Sequence, residues 1–396
     1  MIALRHVAIE CRGSDLWLAG ADADGELQAF MILPASDDDP TGSIVRGRVR
    51  RVVPALEAAF VDIGHDRGGF LKRARGAGPD LTEGAAVDVL VRRPARGDKG
   101  AVLTRALALS GRYVVFQPGG EGVRVSRRIA DQGRAGRLAR LPDATRGGWI
   151  VRTAAEPAPD DAIAAEAEQL AGAWQQAIDG ARDRGPPCPL IAAPPALVAA
   201  LRDLEPVPAR IDVRAAPAAN RALGHVRRWW PDLEAVLSLD GGAGPGPIAA
   251  AGLDEPIAAA MAPRYELPGG GAVVVERTQA LTAIDVDTGA ATERHGRDAI
   301  RATNLEAAVA IARLLRLRNI AGLVVVDFVS MREPDDRRAV LDRLHAALAD
   351  DDAEVHVTGL SALGLVELSR APSGPARIDA ARLASAGAEG QIGTGS

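Results

Sequence analysis

Residues 303–329, TNLEAAVAIARLLRLRNIAGLVVVDFV, join two different periodicities through a short turn. The first half repeats apolar residues at helical spacing. GLVVVDFV (322–329) is instead a continuous apolar run, the pattern of a strand buried on both faces. Thr303 and Glu306 have the spacing of a capping box, which sets the helix start at 303. The alternation continues outward. GAVVVER (271–277) and ALTAIDVD (280–287) read as strands; a second helix over about 335–349 and the strand AEVHVTG (353–359) follow. Strand, helix, strand, helix, strand is an α/β unit.

The strand ALTAIDVD raises a chemical question, because Asp285 and Asp287 are two apart and therefore point to one face. Like charges buried on one face without a counter-ion are expensive. Asp327 lies near the C-terminal end of its own apolar run, and ligands of such sheets gather at the carboxyl ends of strands. Asp285 and Asp327 converging there would suit Mg²⁺, which takes hard oxygen donors and keeps several waters. A plainer reading is that Asp287, Thr288 and Gly289 form a turn while Asp327 ends a strand. A third takes Asp-Thr-Gly as half of an aspartic protease pair shared by two chains, a scheme that gives Asp285 no role.

The rest of the chain reads as several further segments. At 396 residues, 47% apolar and 25% charged, it is a multidomain globular protein. Residues 1–38 alternate as three short strands, too few to close a core. Residues 43–73 and 85–109 are strand-length runs between Pro, Gly and Asp turns, the spacing of a small antiparallel barrel. The overall charge is −5, yet residues 41–112 hold 14 Arg plus Lys against 7 Asp plus Glu, leaving −12 elsewhere. A local excess of positive charge favours a polyanionic ligand. Phe60 and Phe70, in a chain with 3% aromatics, and Lys99 among Arg92, Arg93 and Arg96 fit a single-strand binding face, although two Phe in a barrel also suit its core. Residues 113–128 read as a strand pair around Pro-Gly-Gly, 159–181 as a helix, 184–195 as a proline-rich connection, and 373–396 as an unstructured tail. Cys11 and Cys188 stand far apart, so no structural zinc is expected. No leader or membrane span is read, and a cytoplasmic location is expected.

Assembled in order, GRVRRVVPALEAAFVDIGHDRGGFL, KGAVLT, the SRRI segment, WIVRTAAE, ALTAIDVDTGAA, the 303–329 stretch and GLVELSR make the chain resemble the ribonuclease E/G family over about residues 1–370. The resemblance implies a Mg²⁺-dependent endoribonuclease that cuts single-stranded RNA to 5′-phosphate and 3′-hydroxyl ends, with one Mg²⁺ per site. It implies a mixed α+β multidomain chain: an RNase H-like domain (1–38 and 205–258) interrupted by an S1 (OB-fold) barrel (39–112) and a 5′-sensor region (113–204), then a DNase I-like catalytic subdomain (259–372). The family's metal-binding aspartates fall on Asp285 and Asp327, and its catalytic Asn on Asp287, a departure. Its RNA-contacting positions fall on Phe60, Phe70 and Lys99, and its 5′-phosphate contacts on Arg152 and Thr153. The family's zinc-linking cysteines after the catalytic subdomain are absent, so any homodimer is expected to lack a zinc bridge. Asp352 and Glu354 stand where the family carries arginines beside the 5′-phosphate. The alternative is an RNA-binding homologue that has lost turnover.

Overall fold

The computed structural model describes residues 3–34, 39–65, 67–72, 81–95, 99–214, 216–242, 244–289, 292–361 and 363–374; the tail expected beyond residue 374 lies outside them. The chain forms two compact units, one of Met1–Pro34, Val207–Ala219 and Val236–Ser396, the other of Ala35–Pro206 and Asn220–Ala235.

Three strands open the first unit: β1 (His6–Arg12), β2 (Asp15–Ala21) and β3 (Leu27–Pro34), an antiparallel meander. The second unit begins with a closed five-stranded barrel of β4 (Ile44–Val53), β5 (Ala58–Asp62), β6 (Gly69–Lys72), β7 (Ala86–Arg93) and β8 (Ala101–Thr104). Its order is β4-β5-β6-β8-β7, and the long β4 closes it by pairing with both β5 and β7. Closure brings β5 close against β4, and Gly47 permits the approach: a Cβ there would stand 2.5 Å from Val61 Cγ1 and 2.7 Å from the Asp62 carbonyl oxygen. Val45, Val49, Val61, Leu71, Val89 and Leu103 are among the residues that fill the interior. This is an S1/OB-like barrel.

A second small sheet has the order β11-β12-β10-β9, from β9 (Leu109–Ser110), β10 (Val114–Gln117), β11 (Val123–Val125) and β12 (Gly148–Val151). The Pro-Gly-Gly turn therefore does not join a hairpin, because β12 inserts between β10 and β11 and pairs with both. The helix Asp160–Gly180 packs on β10 and supplies the buried Glu166. Its carboxylate accepts the N–H groups of Arg112, Tyr113 and Val114 at 2.8, 2.7 and 3.1 Å, and the Trp230 indole N–H at 2.8 Å. Four donors offset the cost of burying this charge. The proline-rich stretch 184–195 is not only a connection. β13 (Cys188–Ile191) pairs antiparallel with β4, at the end of its sheet where proline costs least.

In the first unit, β14 (Arg210–Arg214) and β15 (Leu237–Asp240) run parallel beside β1 and complete the sheet β15-β14-β1-β2-β3. Its second sheet has the order β16-β17-β18-β19-β21-β20: β16 (Arg264–Glu266), β17 (Ala272–Arg277), β18 (Thr282–Asp287), β19 (Gly322–Asp327), β20 (Val355–Leu360) and β21 (Leu365–Arg370). One apolar cluster links the two sheets with the helices Asp254–Met261, Thr292–Leu317 and Pro334–Leu348. Two expectations are corrected here. The helix assigned to Thr303 begins at Thr292, with a break in helical geometry at Gly296, so Thr303 is a buried interior residue and not an N-cap. Glu306 instead accepts the Gly269 N–H at 2.9 Å. And β19 is not buried on both faces: Val324 and Val326 point to the core, whereas Leu323 remains 45% exposed. Its apolar run records strand propensity as well as burial.

Candidate active site

The open face of the second sheet collects the carboxylates. Along β18, Thr282, Ile284 and Val286 are buried, so Asp285 and Asp287 stand on the opposite face. Register then fixes their neighbours. Arg264, Val274, Asp285 and Asp327 are successive lateral partners on β16, β17, β18 and β19, and Glu266, Ala272 and Asp287 form the next row. Asp285 and Asp327 are thus immediate partners on parallel strands, about 4.8 Å apart in backbone spacing. Both are exposed, and among the described residues neither carboxylate enters a hydrogen bond or ion pair. Two free, adjacent, hard oxygen donors at strand carboxyl ends fit Mg²⁺. No cluster of three or more His, Cys, Asp or Glu side chains suited to a metal occurs among the described residues.

Asp287 has partners. Its Oδ1 accepts the Gly289 N–H at 2.9 Å, in a turn that Gly289 enters with φ of 55°, and its Oδ2 accepts from Arg264 Nη1 at 3.1 Å. The Gly289 amide first, and Arg264 second, hold its carboxyl below the ordinary aspartate range. The turn and the site therefore coexist at Asp287. Arg264 also donates from Nε to Glu266 Oε1 at 2.9 Å.

Two residues that the sequence reading missed support the site. Arg264 is invisible without sheet order, because it lies 23 positions from Asp287 and on a strand of three residues. Asn304, fully buried, donates to the Val329 carbonyl at 2.8 Å and accepts the Val329 N–H at 3.1 Å, fixing the backbone two residues beyond Asp327. A buried Asn inside an apolar helical period was its signal.

The barrel carries a second constellation. Arg51, Phe60, Phe70, Val102 and Arg93 are successive partners across β4, β5, β6, β8 and β7. Phe60 is 42% and Val102 38% exposed, and the two Phe rings meet edge to face at 5.8 Å. These aromatics belong to the barrel surface, not its interior. Lys99, just before β8, is exposed.

Arg152 and Thr153 follow β12. Arg152 donates to the Gly111 carbonyl at 2.9 Å and to Asp203 Oδ1 at 2.7 Å; Thr153 Oγ1 lies 2.9 Å from Ser126 Oγ. Burial alone would raise the Asp203 carboxyl, but Arg202 and then Arg152 outweigh it and hold it below its ordinary range. Asp352 and Glu354 are exposed, and Glu354 Oε1 lies 3.1 Å from His356 Nε2. Among the described residues no helix is long and apolar enough to cross a membrane.

The model of the ribonuclease E/G family matches residues 108–372. Ribonuclease G of Escherichia coli (strain K12) is 34% identical over 370 residues, covering 87% of this chain and 76% of the relative. Ribonuclease E of Nostoc sp. (strain PCC 7120) is 35% identical over 376 residues, covering 90% and 54%. Ribonuclease G of Haemophilus influenzae is 33% identical over 362 residues, covering 83% and 72%.

Proposed function

Since the chain belongs to the ribonuclease E/G family, we propose that this endoribonuclease hydrolyses single-stranded RNA with Mg²⁺, leaving 5′-phosphate and 3′-hydroxyl ends. The observation that carries the reading is the lateral pair Asp285 and Asp327, exposed on the open face of the sheet and without a hydrogen bond or ion pair among the described residues. These two residues would hold the ion. When bound, it supplies positive charge that polarises a phosphodiester and acidifies the attacking water. Asp287, on the same face, accepts a hydrogen bond from that water and orients it. Phe60 and Phe70 stack on bases, with Lys99 contacting the backbone, and Arg152 with Thr153 contacts a 5′-terminal phosphate.

The domain reading belongs to the same proposal: an RNase H-like domain from 1–38 and 205–258, the S1 barrel at 39–112, a 5′-sensor at 113–204, and a DNase I-like subdomain at 259–372. The protein acts in the cytoplasm. Any homodimer forms without a zinc bridge from this segment, because residues 189–396 hold no cysteine. The test is cleavage of a fluorescent single-stranded oligonucleotide with and without Mg²⁺, in wild type and Asp327→Ala. Binding without Mg²⁺-dependent cleavage in the wild type would establish instead a homologue that has lost turnover.

A further inference from the structure

Four carboxylates, Asp285, Asp287, Asp327 and Glu266, stand in the two lateral rows of this face, and a phosphodiester brings a further negative charge to it. One divalent cation offsets two of them. The remaining charge would repel the substrate unless the protein compensates it. Arg264 is placed to do so. It lies in the same lateral row as Asp285 and Asp327, two strands from β18, a span of about 9–10 Å that an arginine side chain can reach across. Ala272, facing both Glu266 and Asp287 in register, offers only a methyl group between them. The guanidinium ends 3.1 Å from Asp287 Oδ2.

Resting on the active-site reading above, we propose that Arg264 is a charge-compensating residue of this active site: it neutralises Asp287, so that the pair presents RNA with a hydrogen-bonding group of no net charge. Arg264 acts through Asp287 and is a positioning residue. Its nearer partner, Glu266 at 2.9 Å, is 70% exposed, so water screens that charge more than it screens the Asp287 pair. Arg264 and Asp287 are themselves 45% and 46% exposed, so removing either leaves no buried unpaired group.

The experiment is a double-mutant cycle with two readouts: affinity for a single-stranded RNA oligonucleotide in chelator at low salt, and kcat/KM with Mg²⁺. Arg264→Ala should weaken metal-free RNA binding and lower kcat/KM by roughly tenfold each, the scale of one charge-assisted interaction. In the Asp287→Asn background the same change should cost about twofold or less, because no charge remains to be compensated. Arg264→Lys should retain most of the affinity in the wild-type background. An equal loss from Arg264→Ala in both backgrounds would show that Arg264 acts independently of Asp287, and no loss in the wild-type background would show that it compensates nothing; either result overturns the proposal. Melting curves on all variants identify a folding defect, in which case Arg264→Gln repeats the cycle. Asp327→Ala, run in parallel, tests the active site itself: cleavage surviving in that variant sinks the active-site reading without deciding the cycle.

Discussion

At the residue scale, the strongest expectation concerns Asp285 and Asp327, whose carboxylates have no partner among the described residues. Asp285→Ala and Asp327→Ala should each abolish Mg²⁺-dependent cleavage while leaving RNA binding nearly intact, since each removes a proposed metal ligand and no barrel contact. Single-turnover cleavage measures this, and residual rates within a few-fold of wild type would contradict a two-aspartate site. That Asp285 and Asp287 share a face was legible in the sequence, because period two in an apolar strand shows which side chains point together. Arg264 and Asn304 were not legible in the same way. The first acts across a strand that intervenes in space, and the second lay beside a Thr whose spacing imitated a helix cap.

Elements separate surface from core where composition cannot. Phe60 and Phe70 pair across β5 and β6 with their rings outward, so Phe60→Ala and Phe70→Ala should each weaken single-strand binding by about 1–3 kcal/mol and barely move the melting temperature. A core Phe would instead lose about 3–5 kcal/mol of stability. Titration of RNA alongside a thermal melt distinguishes the two. β21 supplies the opposite case. The Arg370 guanidinium and Asp351 carboxylate, each 1% exposed, form a bidentate pair at 2.7 and 2.9 Å, and Arg370 also donates to the Ile320 carbonyl. Removing one partner strands the other, so Asp351→Ala should cost about 3–5 kcal/mol in urea unfolding of the isolated chain; an unchanged midpoint would show that the pair is not structural. An arginine so engaged is not available to a phosphate. The misread hairpin has a cause beyond local sequence. A turn sequence predicts reversal of the chain, but whether the two strands pair depends on a third strand, β12, whose insertion between β10 and β11 leaves no local trace.

For the whole molecule, ordered motifs carried more than any periodicity: barrel-length runs, a short apolar helix-strand alternation and a few aspartates identify the family only in sequence. Strand order does not follow from that list, because the first sheet joins residues more than two hundred positions apart, as in His6 beside Arg210. The same long reach sets the last prediction, which concerns discrimination between RNA ends. Arg152 is the cation proposed for the 5′-phosphate, yet its guanidinium is already paired with Asp203 at 2.7 Å and with the Gly111 carbonyl. A phosphate must compete with a carboxylate that Arg202 and Arg152 keep ionised. The exchange substitutes one charge-assisted contact for another, so little of its ~1.5–3 kcal/mol remains as net preference. The enzyme should therefore cleave 5′-monophosphorylated and 5′-hydroxyl oligonucleotides with kcat/KM values that differ by less than about tenfold, the equivalent of roughly 1.4 kcal/mol. Asp203→Asn, which leaves the shape and removes the competing charge, should raise the preference for the monophosphate, and Arg152→Ala in that background should remove it again. A wild-type preference well above tenfold would mean that Arg152 exchanges partners at little cost, and an Asp203→Asn variant with no added preference would mean that the phosphate is bound elsewhere.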